Sequence, residues 1–305
     1  MTSQISTNGA ASAWKRYDLR NRYVLKGKLV MQTAFHIGGG RGTLSNSDSP
    51  VVLTPEGLPF IPGSSFKGSL RSTIEKLVPN LPENAGLRTC GLLDMSKDAY
   101  NQLKKQNLAN SICPTIPVRQ ADITQMRRDY PGEEDAIQEM VFGQLCNTCL
   151  LFGSPYAAAR ISISDLYLID TEWGSVIQRR DGVAIDRDSE KAKDRLKYDF
   201  EVVPASTSFN MEIMLENVTP QDLQLISIGM SEFVHGFGVI GGKRSRGLGV
   251  CLLEDLKVQG LELVGDGITP QQRNQRLRDY LLDRKFSREQ GGEEFLNEHI
   301  NKIFG

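Results

Sequence analysis

The residues best suited to chemistry lie in one glycine- and arginine-rich stretch, Gly236-Phe237-Gly238-Val239-Ile240-Gly241-Gly242-Lys243-Arg244-Ser245-Arg246-Gly247-Leu248-Gly249. Gly242, Lys243, Arg244 and Arg246 stand there with no acid among them. Glycines leave backbone N–H groups accessible and the cations add charge, so the stretch suits a phosphate backbone; a solvated hairpin turn is the plainer alternative. A formal G-x-G-x-x-G runs through Gly236, Gly238 and Gly241. It is expected to follow a helix and lead into a strand, the reverse of a dinucleotide site, which disfavours a nucleotide-cofactor enzyme. A second stretch, Ile61 to Arg71, opens a helix with the hydroxyls of Ser64 and Ser65 and carries Lys67 and Arg71 four residues apart. That is equally an anion site or an ordinary helix start with surface cations.

Four of the five cysteines, Cys90, Cys113, Cys146 and Cys149, fall in one irregular region, the last two as a C-x-x-C knuckle. Four thiolates suit a closed structural zinc site. Buried free cysteines or a redox pair are the alternatives, and an odd total argues against a disulfide framework. Cys251 lies in a strand, where packing suffices. Asp48, in Ser47-Asp48-Ser49-Pro50, is by its chemistry a turn former. Residues 176–198 interleave Arg179, Arg180, Arg187 and four further cations with acids, the pattern of a solvated loop. Neither a Ser-His-Asp order nor H-E-x-x-H stands out among only three histidines.

The elements that must position these residues are readable from periodicity. The chain has 305 residues, 39% hydrophobic and 24% charged, enough for one large domain with insertions or two small ones. Its net charge of −1 means that any nucleic-acid role rests on local patches or on grooves shared with other subunits. There is no run of 18 apolar residues, so no membrane span is expected. Met1 to Ala13 reads as a disordered leader rather than a secretory signal, which places the chain in the cytoplasm by default. Alternation predicts strands over 22–33, at 51–53, from Ile161 through Ile163, Tyr167 and Ile169, over Phe209 to Leu215, and at Val250 to Leu253. Helices are predicted from Ser64, with Phe66, Leu70, Ile74 and Leu77 inward, around 133–142, and from Thr219, with Leu223, Ile226, Met230 and Phe233 inward. Without insertions the order is strand, helix, strand, strand, helix, strand: an α+β fold with a ferredoxin-like or RRM-like core. The expected layout is a leader over 1–21, a core over 22–258 interrupted by a cysteine-bearing insertion at 79–153 and a projecting arm at 176–198, and a charged helical extension over 259–305.

Four motifs in order, His36-Ile37-Gly38-Gly39-Gly40, Ser47-Asp48-Ser49-Pro50, Ile61–Arg71 and the late Gly-Gly-Lys-Arg-Ser-Arg-Gly-Leu-Gly loop, resemble those of the RAMP superfamily, specifically the repeated backbone subunit of type III CRISPR complexes. The likeness spans about residues 22–258. It implies an RRM-like core that stacks along a guide RNA (crRNA) with other subunits of the effector. It implies that Ser64, Ser65, Lys67, Arg71 and the 241–247 loop contact the guide. The 176–198 arm, with Arg180 and Arg187, would be a thumb hairpin that pries apart guide–target pairs. Asp48 falls where cutting members carry an aspartate that cleaves target RNA with a divalent ion such as Mg²⁺. The cysteine-bearing insertion resembles zinc-binding members of types III-D and III-E, and is longer than in the simplest members. Two other functions fit the same superfamily: a non-cutting scaffold, and a guide-precursor endoribonuclease using His36 as acid–base group.

Overall fold

The computed structural model describes residues 18–39, 47–90, 96–105, 116–169, 173–185 and 192–305. Helices and antiparallel sheet combine in an α+β architecture. The central strand β1, Asn21–Met31, sends Tyr23, Leu25, Leu29 and Met31 to one face, where all are buried. It is flanked by β5, Ser208–Glu216, and by β7, Val250–Glu262, both antiparallel. The short strands β2, Ile161–Ile163, and β6, Gly238–Val239, extend the sheet to the order β2-β5-β1-β7-β6.

Two helices cover the apolar face: α1, Gly63–Leu77, and α6, Pro220–Val234. They meet through Phe66 and Phe233, whose rings lie 5.1 Å apart. Helix α6 starts as its sequence dictates, with Thr219 and Asp222 forming a reciprocal capping box and Pro220 at the first position. The opposite face of the sheet carries charge pairs. Arg22, Lys26 and Lys28 on β1 each pair with an acid on a neighbouring strand, Glu216, Glu212 and Glu254.

The insertion holds α2, Lys97–Lys105, α3, Ile116–Asp129, α4, Glu134–Gln144, and α5, Asn147–Phe152. The arm is a separate two-stranded sheet, β3, Gln178–Ile185, and β4, Ala192–Val202. At its C-terminus the chain returns to the body. α7, Pro270–Asp283, is followed by β8, Arg288–Gly291, which pairs with β7, and by α8, Gly292–Phe304, which puts Phe295 and Leu296 into the main core. Among the described residues no helix is long and apolar enough to cross a membrane.

Some boundaries differ from the sequence reading. Val51 and Leu53 make only isolated bridges. The strand beginning at Ile161 stops at Ile163, because Asp165 turns away to accept the Gly63 amide of α1 at 2.8 Å. After that break the parity reverses: Leu166 and Leu168 are buried while Tyr167 and Ile169 are exposed. Strand β4 continues past 198, bringing Phe200 and Val202 into a small core of their own, and β7 runs past 258 to Glu262. Most of the expected leader lies outside the described residues, but Leu19 packs against the cluster of Leu261, Leu263 and Tyr280.

Candidate nucleic-acid interface and thiolate centre

Four segments far apart in sequence meet at the base of the β3–β4 arm. The first is the turn after β1, where His36 is buried. Its Nδ1 faces the Glu201 carbonyl at 2.7 Å and its Nε2 faces Ser49 Oγ at 3.2 Å. A carbonyl only accepts, so Nδ1 carries the proton and Ser49 donates to Nε2. Burial, with a further contribution from Lys243, lowers the pKa of His36 and keeps the ring neutral. With both nitrogens engaged, His36 is a brace between segments.

The second segment is the Ser47–Pro50 turn, clasped to β4 by reciprocal bonds. Asp199 Oδ1 accepts from Ser47 Oγ at 2.7 Å and from the Asp48 amide at 2.8 Å. The Asp199 amide in turn donates to Asp48 Oδ2 at 3.1 Å. Arg179 on β3 pairs with the same Asp199 carboxylate. The Ser47 hydroxyl, the Asp48 amide and Arg179 hold the Asp199 carboxyl below the usual range. Asp48 is exposed to solvent while one of its carboxylate oxygens is held by the Asp199 amide.

The third segment is β4 itself, where Tyr198 and Phe200 stack 6.2 Å apart. The fourth is the glycine- and arginine-rich loop. It docks on the first through Gly242 N–H to the His36 carbonyl, 2.9 Å. Gly241 must be glycine: its φ is +86°, and a Cβ there would stand 2.4 Å from the same carbonyl. Lys243 lies over the Phe200 ring at 4.6 Å, and Arg246 stacks on and donates to Tyr198. Gly242, Arg244 and Arg246 are exposed. The result is a basic rim braced on the half-buried Tyr198 and the buried Phe200, on the strand that also clasps the Asp48 turn, an arrangement suited to phosphates.

Helix α1 presents the second anion-suited stretch. Ser64 is exposed, and Ser65 and Lys67 are half-buried. Among the described residues Lys67 has no carboxylate partner. Arg71 behaves differently from a surface cation. Its Nε donates to Glu75 Oε1 at 2.8 Å, its Nη1 to the Gly153 carbonyl at 3.1 Å, and its Nη2 contacts Cys149 Sγ at 3.5 Å. The sequence placed Lys67 and Arg71 on one face, whereas the fold turns Arg71 inward to the insertion. Arg180 is exposed on β3. Arg187 lies outside the described residues.

Cys90, Cys146 and Cys149 form a buried cluster with sulfurs all within 4.8 Å of one another. Cys146 precedes α5 and Cys149 sits in its first turn. Cys90 is brought to them by a clamp: Arg88 N–H to Asn147 Oδ1 at 2.8 Å, Asn147 N–H to the Arg88 carbonyl at 3.1 Å, and Thr89 to Thr148 at 3.1 Å. The Cys90 and Cys149 sulfurs are 3.6 Å apart, far beyond a disulfide bond. Two sulfurs of a tetrahedral zinc site lie about 3.8 Å apart, given a Zn–S bond of about 2.3 Å. The cluster could therefore hold a metal ion. Cys113, expected as a fourth ligand, lies outside the described residues. Cys251 is buried apart from them, its thiol pushed up to about 12 by desolvation.

Sequence reasoning missed Tyr198, Asp199, Phe200 and Glu201. Their signal was an alternation, Tyr198-Phe200-Val202 against Asp199-Glu201, starting where the charged arm ends.

Residues 28–251 match the model of the RAMP superfamily. The chain is 24% identical over 262 residues to the CRISPR system Cms endoribonuclease Csm3 of Methanocaldococcus jannaschii, covering 79% of this chain and 82% of that protein. It is 27% identical over 225 residues to the protein of the same name from Enterococcus italicus, covering 72% and 86%. A shorter match, 32% over 81 residues, covers 26% of the chain and 33% of the Csm3 of Methanothermobacter thermautotrophicus. With the family model covering more than half of its length, the chain belongs to the RAMP superfamily.

Proposed function

We propose that this chain is a guide-RNA-binding backbone subunit of a type III CRISPR effector complex, and that it cleaves the paired target RNA at Asp48. The observation that carries the reading is the meeting of the Asp48 turn, the Lys243–Arg246 loop and the foot of the arm around Tyr198–Glu201. Family membership and the likeness to proteins named as CRISPR endoribonucleases support it. The four main strands lie in the order second, third, first, fourth, which supports a ferredoxin-like, RRM-like core. The sheet face that RRM domains use for stacking bases carries ion pairs here rather than aromatic side chains on β1 and β5, which favours the loops and α1 for RNA contact.

In this reading Ser64, Ser65, Lys67 and the 241–247 loop grip the guide backbone, and the β3–β4 arm, bearing Arg180, is the thumb between guide and target. A displaced target nucleotide presents its 2′-hydroxyl to the neighbouring phosphorus. The new O2′–P bond forms as the P–O5′ bond breaks, and Asp48 takes up the 2′-hydroxyl proton or holds a divalent cation at the phosphate. Asp48, with one carboxylate oxygen engaged by the Asp199 amide, would offer its other oxygen to a divalent cation such as Mg²⁺, which would supply charge stabilisation at the phosphate. The Cys90, Cys146 and Cys149 cluster, with Cys113 as the expected fourth ligand, would hold a structural zinc that fixes the insertion.

Replacing Asp48 with alanine is expected to abolish target cutting by the assembled complex while guide binding persists. Cutting retained by a complex with no other active backbone copy would refute the assignment. The second reading, a non-cutting scaffold, is favoured by one observation: Asp48 already serves the turn by accepting from the Asp199 amide. In that case Asp48→Ala alters stability only.

A further inference from the structure

The inward turn of Arg71 is explained neither by guide binding nor by helix capping. Its side chain is 12% exposed, caged between Glu75 and the Phe152 ring, whose centroid lies 6.0 Å from the guanidinium carbon. Three of its nitrogens reach three separate places: its own helix, the backbone just beyond α5, and the sulfur of Cys149. A pair with Glu75 alone would need only one of these contacts. Thiolates gathered in a buried cluster concentrate negative charge away from water, and such charge needs a nearby compensating donor. A guanidinium also meets several acceptors at once through its planar fork, which lysine does not.

We infer that Arg71 is a positioning residue for the thiolate metal centre, donating from Nη2 to Cys149 Sγ and thereby tying α1, the proposed guide-gripping helix, to the insertion. The inference rests on the reading of the cysteine cluster as a metal centre. The hydrogen bond draws electron density from the sulfur, lowers its reactivity toward electrophiles and slows loss of the metal. Partners of this kind are worth about 10-fold to 100-fold in metal affinity.

The test compares the full-length parent with Arg71→Gln, which retains N–H donors without charge, and Arg71→Lys, which retains charge without the fork. Zinc content is measured first, then zinc release to a chelator and alkylation of the cluster by a thiol reagent. The visible spectrum of the cobalt-substituted protein follows. Arg71→Gln is expected to release zinc about 10-fold to 100-fold faster, to alkylate faster, and to shift the sulfur-to-cobalt band to longer wavelength. Arg71→Lys falls between. A folded Arg71→Gln variant with parental release rate, alkylation rate and cobalt spectrum overturns the role and leaves Arg71 a helix tether. A parent that binds no stoichiometric zinc overturns the metal centre itself, a distinguishable failure.

Discussion

Two glycines of the first helix, five residues apart, respond in opposite ways to the same substitution. Gly63 is buried where α1 meets the backbone after β2. A Cβ there would stand 2.3 Å from the Ile163 carbonyl oxygen and 2.9 Å from that of Ser164, where ordinary contact begins at 3.4 Å. The first turn of α1 must then move by about 1 Å, against backbone that cannot rotate aside and against the Asp165 bond that holds it. Overpacking costs about 1–3 kcal/mol, and a backbone obstacle puts this case near the upper end. For a chain of this size that lowers Tm by roughly 4–8 °C. Gly68 is exposed, and its Cβ would meet nothing within 4 Å. Alanine there removes the entropic penalty of a helical glycine and is expected to stabilise by about 0.5–1 kcal/mol, or roughly 1–3 °C. Yet Gly68 lies one turn from exposed Ser64 on the same face. If the guide lies along that face, a methyl at 68 obstructs it. Gly68→Ala should therefore melt higher and bind guide RNA more weakly, whereas Gly63→Ala should melt lower. Thermal unfolding and fluorescence anisotropy with a labelled guide-length RNA measure the two effects. The packing argument fails if Gly63→Ala melts with the parent. The guide assignment of this face fails if Gly68→Ala binds RNA as tightly as the parent.

Removing the Asp199 side chain should cost target cutting about 10-fold to 100-fold while guide affinity is retained, since misplacing a catalytic group by about 1 Å has effects of this size. Asp199→Asn, whose oxygen still accepts from Ser47 and Asp48, should recover part of the rate; equal cutting by all three proteins refutes the clasp. Lys243→Gln and Arg246→Gln should each reduce the slope of log affinity against log salt by about 1, and an unchanged slope removes that residue from the phosphate contacts. His36 and His299 are both held neutral chiefly by burial. Because their folded pKa lies below the unfolded value of about 6.5, the unfolded chain takes up protons first. Stability should be full above about pH 6.5 and fall on acidification, by at most about 1.4 kcal/mol per pH unit for each histidine. His299→Phe, which keeps the packing against Phe295, should flatten that fall in a comparison of Tm between pH 7.5 and 5.5. A curve identical to the parent's excludes His299 as a contributor.

Local patterns determined the elements of this protein. The alternation of Phe209, Met211, Ile213 and Leu215, the helix start at Thr219-Pro220 and the stripe of Phe66, Leu70 and Ile74 are short-range signals, and each predicts an element that the fold contains. The phosphate-suited loop at 241–247 and the cysteine knuckle were also visible, because glycine, cation and thiol content do not depend on context. Tertiary structure decided what those groups face. Lys67 and Arg71 are equivalent by helical spacing, yet only Arg71 is drawn to Glu75, Gly153 and Cys149, because the insertion packs against its side of α1. Asp48 is a turn residue until Asp199, 151 positions away, clasps it. Tyr198 and Phe200 are a short alternation until the 241–247 loop lays Lys243 and Arg246 over them. Periodicity reports which side of an element is apolar, but not which distant polar group it will meet. That pairing is set by the strand register and by the places where the insertions return to the core.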